Sequence, residues 1–149
     1  MKRSKEAFLE VVRNTPLVSI DLIVHDRAGR ILVGRRVNEP ARGTWFVPGG
    51  SIRKNETLAQ ALARISADEL GSALGMSDVR FAGVYEHFYD TNFAEVAGVT
   101  THYVVLAYVA QRPFDLSELP ADQHSAWTWL TEPLMPDAHP NTLAYLNID

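Results

Sequence analysis

The chain has 149 residues, of which 46% are apolar and 21% charged, enough for one domain spanning 1–149 with a real core. A formal net charge of −4 speaks against sequence-independent nucleic-acid binding, and the lack of cysteine excludes disulfides and thiolate metal sites. No apolar run approaches the roughly 18 residues that span a bilayer, and MKRSKEAFLEVVRNT has no uninterrupted apolar centre of a secretion signal, so the expectation is a cytoplasmic protein with no membrane partner.

In chain order, 5-KEAFLEVVR-13 predicts a short amphipathic helix with Phe8, Val11 and Val12 on one side, stopped before Pro16. The run 17-LVSIDLIV-24 alternates, with Val18, Ile20, Leu22 and Val24 on one face and Ser19 and Asp21 on the other. A turn at 25-HDRAG-29 and a second strand at 30-RILVGR-35 predict a hairpin. Next come a loop at 38–43 and 44-TWFVPGG-50, extended into a Gly-Gly turn. A helix is predicted over 57–70, strands at 79–89, 101–110 and 126–130, and a short helix within 139-HPNTLAYL-146. Helices and strands mixed in this way predict an α/β sandwich with a mixed sheet.

The helix at 57–70 carries an apolar stripe of Leu58, Leu62 and Ile65 with Ala61 beside it. Thr57 and Gln60 have capping-box spacing, Asn55 is an equally plausible cap, and Gly71 suits a left-handed stop. Four residues beyond Ile65 the stripe reaches Glu69, an anomaly because a buried unpaired carboxylate is costly. Either Glu69 is solvated at the rim or a cation neutralises it. Asp68, four residues after Arg64, has that arginine as its default ion-pair partner, and Glu56 is the other carboxylate expected to pair with Arg64. Arg35, Arg36, Arg42, Arg53 and Arg64 gather positive charge that a small anionic ligand could use.

The stretch 50-GSIRKNETLAQALARISADELGS-72 resembles the Nudix box: Gly, five residues, Glu, seven residues, then Arg-Glu-apolar-x-Glu-Glu-x-Gly-apolar. Gly50, Glu56, Arg64, Glu69 and Gly71 match, Asp68 matches conservatively, and Ile65, Ser66 and Ser72 depart. Further pieces, 15-TPLVSIDLIV-24, 43-GTWFVPGG-50, 85-YEHFYDTNF-93, 100-TTHYVVL-106 and 123-QH-124 before 127-WTWL-130, are similar to the GDP-mannose mannosyl hydrolase branch of that superfamily. Members of that branch also lack the first box glutamate.

The resemblance implies the Nudix fold, an α/β/α sandwich around a mixed sheet, and a homodimer. It implies hydrolysis of GDP-mannose, and of GDP-glucose, to GDP and free hexose by water attack at the anomeric carbon with inversion. It implies one Mg2+ per subunit, with Mn2+ as a substitute, on the Gly49 carbonyl, Glu69 and Gln123. His124 is implied as the general base; an imidazole suits that role because its ordinary pKa, about 6.5, lies near working pH. Arg36, Arg64 and Tyr103 match diphosphate-contacting positions, and planar guanidinium forks suit phosphate. Asp21 and His87 match sugar-side positions, and Tyr89 follows His87 on the same face. The branch commonly has arginine directly after the glycine pair, where this chain has Ser51. Arg53, two residues on, is the substitute candidate. Two other readings stay open: a Nudix pyrophosphatase attacking phosphorus, which needs a fuller acidic cluster, and a nucleotide-sugar-binding module without turnover.

Overall fold

The computed structural model describes residues 4–120, 124–130 and 137–148. Ser4 caps helix α1 (Lys5–Asn14), its hydroxyl accepting the Ala7 N–H at 3.2 Å. Strands β1 (Leu17–Ile23), β2 (Ile31–Arg36), β3 (Trp45–Phe46) and β4 (Gly49–Ser51) precede helix α2 (Leu58–Leu70). Strands β5 (Val79–Tyr89), β6 (Thr101–Ala110) and β7 (His124–Leu130) follow, then helix α3 (Pro140–Leu143), which continues into a 3-10 turn over Ala144–Asn147. Among the described residues no helix is long and apolar enough to cross a membrane.

The strands form two sheets, ordered β4-β1-β6-β5 and β3-β2-β7. β1 runs parallel to β6, with Leu17 opposite Tyr103, and antiparallel to β4, so the expected mixed sheet is present. The expected β1–β2 hairpin is not. Only its tip closes, with Leu32 N–H donating to the Val24 carbonyl at 2.8 Å, after which β1 and β2 enter different sheets. The reason is burial: β1 is covered on both faces, which suits a central strand better than one arm of a two-stranded ribbon. The Gly-Gly pair also differs from expectation, forming strand β4 against β1 in place of a turn.

One core cluster joins Ile20, Leu22 and Val24 to Ala61, Leu62 and Ile65 of α2. A second joins Ile23, Ala107 and Val109 to Ile31, Val33, Phe46 and Leu130 of the other sheet, and includes Tyr145. The alternation of β1 therefore separates two environments: Ile20 and Leu22 pack under α2, while Ser19 and Asp21 face a cavity on the opposite side. Of the two candidate N-caps Thr57 is the one used, in a complete capping box with Gln60, and Gly71 ends α2 at φ 76° as expected. Leu58 and Val18 do not join the stripes expected of them; both are 43% exposed, each near the end of its element where the partner layer stops.

Candidate active site

A cavity of about 320 Å³ opens where β1, β4, β5 and β6 meet Arg36 of β2 and the inner face of α2. Its narrowest wall is Gly49. A Cβ there would lie 2.5 Å from both the Ile20 carbonyl oxygen and Asp21 Oδ1, so only glycine lets β4 lie this close to β1. The Gly49 N–H donates to Glu69 Oε1 at 3.1 Å, binding the last turn of α2 to the strand. Glu69 is 6% exposed, which decides between the two readings of its place on the helix: it is not a rim residue. Ile65 lies one turn earlier on α2, 1% exposed, and its Cγ1 stands 3.2 Å from where a Gly50 side chain would begin. The apolar departure from the box is thus a core residue filling the space that a carboxylate would need.

The cationic wall holds Arg36, Arg53 and Arg64. Arg36 Nε donates to the Pro40 carbonyl at 2.9 Å, which anchors one edge of its guanidinium. Arg64 grips Glu56 through two bonds, Nε to Oε2 at 2.7 Å and Nη2 to Oε1 at 2.9 Å, and Nη2 also donates to the Ser51 carbonyl at 2.8 Å. Of the two carboxylates expected to pair with Arg64, Glu56 is the one that does, through both its oxygens, whereas Asp68 stays exposed on the cavity rim. Hydrogen bonding from Arg64, added to by the Arg53 N–H, holds the Glu56 carboxyl down at about 2, against the smaller opposing effect of burial. Arg64 therefore ties the loop over Ser51–Glu56 to α2 while lining the cavity.

The third wall is aromatic and buried. Asp21 is 6% exposed, and Tyr145, fully buried, donates its hydroxyl proton to Asp21 Oδ2 at 2.6 Å. Burial raises the Asp21 carboxyl to about 7, with nearby Glu69 adding to the rise; the Tyr145 bond and Arg36 oppose it. His87 Nε2 lies 3.5 Å from the same hydroxyl, and burial with nearby His139 lowers that imidazole to about 4. Burial also pushes up the phenols of Tyr89 and Tyr103, so both are neutral donors at neutral pH. Their rings meet edge-on, with centroids 6.0 Å apart at 81°, and the Tyr89 and His87 rings lie 6.4 Å apart, as their shared face predicts.

The structure thus gathers Asp21, Arg36, Gly49, Arg53, Arg64, Glu69, His87, Tyr89 and Tyr103 around one cavity. His124 is described as a backbone position of β7, opposite Arg36 across the β2–β7 ladder. Its side chain, and Gln123 altogether, lie outside the described residues. Sequence reasoning missed Tyr145 and Asn141, the latter donating to the Tyr89 hydroxyl at 3.1 Å. A tyrosine within a short apolar helix was the available signal, since a buried phenol needs a partner for its proton.

Residues 15–146 match the NUDIX domain family. This chain is a member of the NUDIX family. Among curated proteins it is 41% identical over 138 residues to the "Low-salt glycan biosynthesis protein Agl8" of Haloferax volcanii, covering 92% of this chain and 84% of that one. Among solved structures, a MutT NUDIX hydrolase from Burkholderia pseudomallei superposes with a TM-score of 0.65 at 28% identity, covering 89% of this chain and 97% of that one. An Ap4A hydrolase from C. elegans, 18% identical with a TM-score of 0.59 over 87% of this chain and 92% of its own, shares the fold. The NUDIX assignment makes the chain a hydrolase of nucleoside diphosphate compounds with an α/β NUDIX fold.

NUDIX hydrolases generally use divalent metals such as Mg2+, and the donor chemistry here fits one. The buried Glu69 carboxylate, the Gly49 backbone and the exposed Asp68 carboxylate border one side of the cavity, an all-oxygen set of the kind hard cations take. Among the described residues no group of three or more His, Cys, Asp or Glu side chains converges as a ready cage.

Proposed function

We propose that this protein hydrolyses GDP-mannose, and GDP-glucose beside it, to GDP and free hexose by water attack at the anomeric carbon with inversion. The observation that carries the reading is Ile65. A buried isoleucine packed against Gly50 takes the position of the first box acid, which removes a carboxylate that a multi-metal attack on phosphorus would use. Asp21, His87 and Tyr89 supply uncharged or weakly charged polar groups to the same cavity as the arginines, a combination that suits a sugar joined to a diphosphate. The 41% identity to a protein named for glycan biosynthesis supports a sugar nucleotide as substrate.

In this reading Arg36, Arg64 and Tyr103 contact the diphosphate, and Arg53, exposed beside the cavity, substitutes for the arginine that Ser51 replaces. Asp21, His87 and Tyr89 face the hexose. His87, held well below its ordinary value by burial, is neutral at physiological pH and serves as a hydrogen-bonding group that adds no charge. His124 takes the proton from the attacking water as general base. One Mg2+ per subunit, with Mn2+ able to replace it, would be held by Glu69, the Gly49 carbonyl and Gln123, supplying neutralisation for the charge on departing GDP. The active species is a homodimer.

The test is hydrolysis of GDP-mannose with Mg2+ in ¹⁸O-labelled water. GDP and labelled mannose are expected. GMP and mannose 1-phosphate, with label on a phosphate, would overturn the reading in favour of phosphorus attack, the alternative that Asp68 on the cavity rim favours.

A further inference from the structure

Behind the aromatic wall, and outside the cavity lining, lies a second layer built from the C-terminal segment. Asn141 is the second residue of α3, and Tyr145 belongs to the 3-10 turn that follows. His139 caps α3 through Nδ1, which accepts the Asn141 N–H at 3.0 Å, and its ring packs against Phe46 and Tyr89 with centroids 5.4 and 5.3 Å away. The Thr142 hydroxyl donates to the Trp45 carbonyl at 3.0 Å, fastening the segment to β3. From this anchored segment two side chains reach the site and meet groups assigned above to the hexose, with the Tyr145 hydroxyl also 3.5 Å from His87 Nε2. Tyr145 meets Asp21 at 2.6 Å and Asn141 meets the Tyr89 hydroxyl at 3.1 Å.

The chemistry of each contact fixes an orientation. Tyr145 has one proton and gives it to Asp21 Oδ2, so that oxygen is engaged; Oδ1 lies against Gly49, at the floor of the cavity. Tyr145 is itself immobile, fully buried and packed edge-on to Tyr85 with centroids 4.8 Å apart at 83°. The Asn141 amide donates to the Tyr89 oxygen, which directs the Tyr89 proton away from Asn141. The donor and acceptor pattern presented to a sugar hydroxyl is therefore set by residues that do not touch it. Two hexoses that differ in the orientation of one hydroxyl would be told apart by this pattern, since a site built to bond a hydroxyl strongly rejects one that leaves its buried groups unpaired.

We propose that Tyr145 and Asn141 are positioning residues which fix Asp21 and Tyr89 and thereby set the preference among hexoses carried on GDP. This rests on the GDP-hexose reading above. The experiment compares wild type, Tyr145→Phe, Asn141→Ala, Asp21→Asn and the Asp21→Asn/Tyr145→Phe double variant. For each, kcat and KM are measured on GDP-mannose and on GDP-glucose, with the inhibition constant of GDP alone and the Tm. The expected result for Tyr145→Phe is an inhibition constant for GDP within about twofold of wild type, a fall of about tenfold or more in kcat/KM on the preferred hexose, and a mannose-to-glucose ratio closer to one. Asn141→Ala should move the ratio in the same direction with GDP binding kept. In the Asp21→Asn background, Tyr145→Phe should add no further loss, because it acts through that carboxylate.

A merely structural role predicts otherwise. GDP binding and turnover falling together, an unchanged hexose ratio in both single variants, or effects of Tyr145→Phe and Asp21→Asn that multiply would each overturn the inference. Wild-type protein that hydrolyses neither GDP-hexose would overturn the substrate reading and this inference together. Wild type that releases GMP and hexose 1-phosphate would overturn only the site of attack, and the hexose ratios would still decide the positioning role.

Discussion

Replacing Asp21 by asparagine should make the folded protein more sensitive to mild acid, and replacing His87 by asparagine should do the reverse. Burial raises the Asp21 carboxyl to about 7, so on folding it takes up a proton that the unfolded chain has released above 3.8. Stability from this group therefore increases as pH falls through that interval. Burial lowers His87 from 6.5 to about 4, so on folding it sheds a proton that the unfolded chain keeps. Stability from that group decreases as pH falls through its own interval. Between 4 and 6.5 the two effects oppose each other: folded or unfolded, the pair carries about one proton. At 1.36 kcal/mol per pH unit, a drop from about pH 6.5 to pH 5 should cost Asp21→Asn about 2 kcal/mol relative to wild type. The same drop should favour His87→Asn by about 1.5 kcal/mol relative to wild type, since the imidazole is only half charged in the unfolded chain at the upper limit. Urea unfolding of the three proteins at the two pH values, in EDTA so that no cation biases Asp21, gives the differences directly. His139, whose imidazole burial also lowers, is present in all three. Differences that do not change with pH, or that share one sign, would refute the paired burial on which the aromatic wall rests.

Gly49→Ala places a methyl 2.5 Å from a backbone oxygen that cannot move aside cheaply; a loss of about 1–3 kcal/mol in urea unfolding is expected, with hydrolysis abolished. Arg64→Ala should lessen acid lability in the window from 4.5 down to about 2, because the depressed Glu56 gives stability above that window and loses it as protons bind, and Arg64 is the largest cause of the depression; thermal melts across the window check this. Ile65→Glu should destabilise the metal-free protein by about 2–5 kcal/mol through the lost core contact alone. If the restored carboxylate recruits a second cation, its Tm should rise with Mn2+ concentration more steeply than that of wild type.

Where local chemistry dictates structure, the sequence was explicit. Thr57, Gln60 and Gly71 frame α2 as their capping propensities allow, and the strands expected at 79–89 and 101–110 form with those bounds as β5 and β6. Most site residues were legible through family resemblance, because a motif fixes spacing and spacing fixes which face of an element a residue occupies. Ser66 shows what a motif leaves out: its hydroxyl donates to the Leu62 carbonyl at 2.6 Å and accepts the Leu74 N–H at 2.7 Å, a structural use where the box has an apolar residue. The divergence of β1 and β2 was hidden because hairpin signals are local, whereas the choice of sheet depends on which strands arrive later. Asn141 and Tyr145 were hidden for the same reason. Their partners lie 52 and 124 residues away, and no pattern in a short C-terminal helix names them.

That separation has a kinetic meaning. Gly49 and Glu69 meet across 20 residues, Asn141 and Tyr89 across 52, and Asp21 and Tyr145 across 124, so the site closes through contacts distant in sequence, which carry loop entropy. A chain with α2 formed and β5 paired to β6 would have its longest described helix and its two longest described strands and still no oriented carboxylate at position 21. Recovered turnover on refolding therefore reports completion of the whole topology, and a partly folded population contributes none of it.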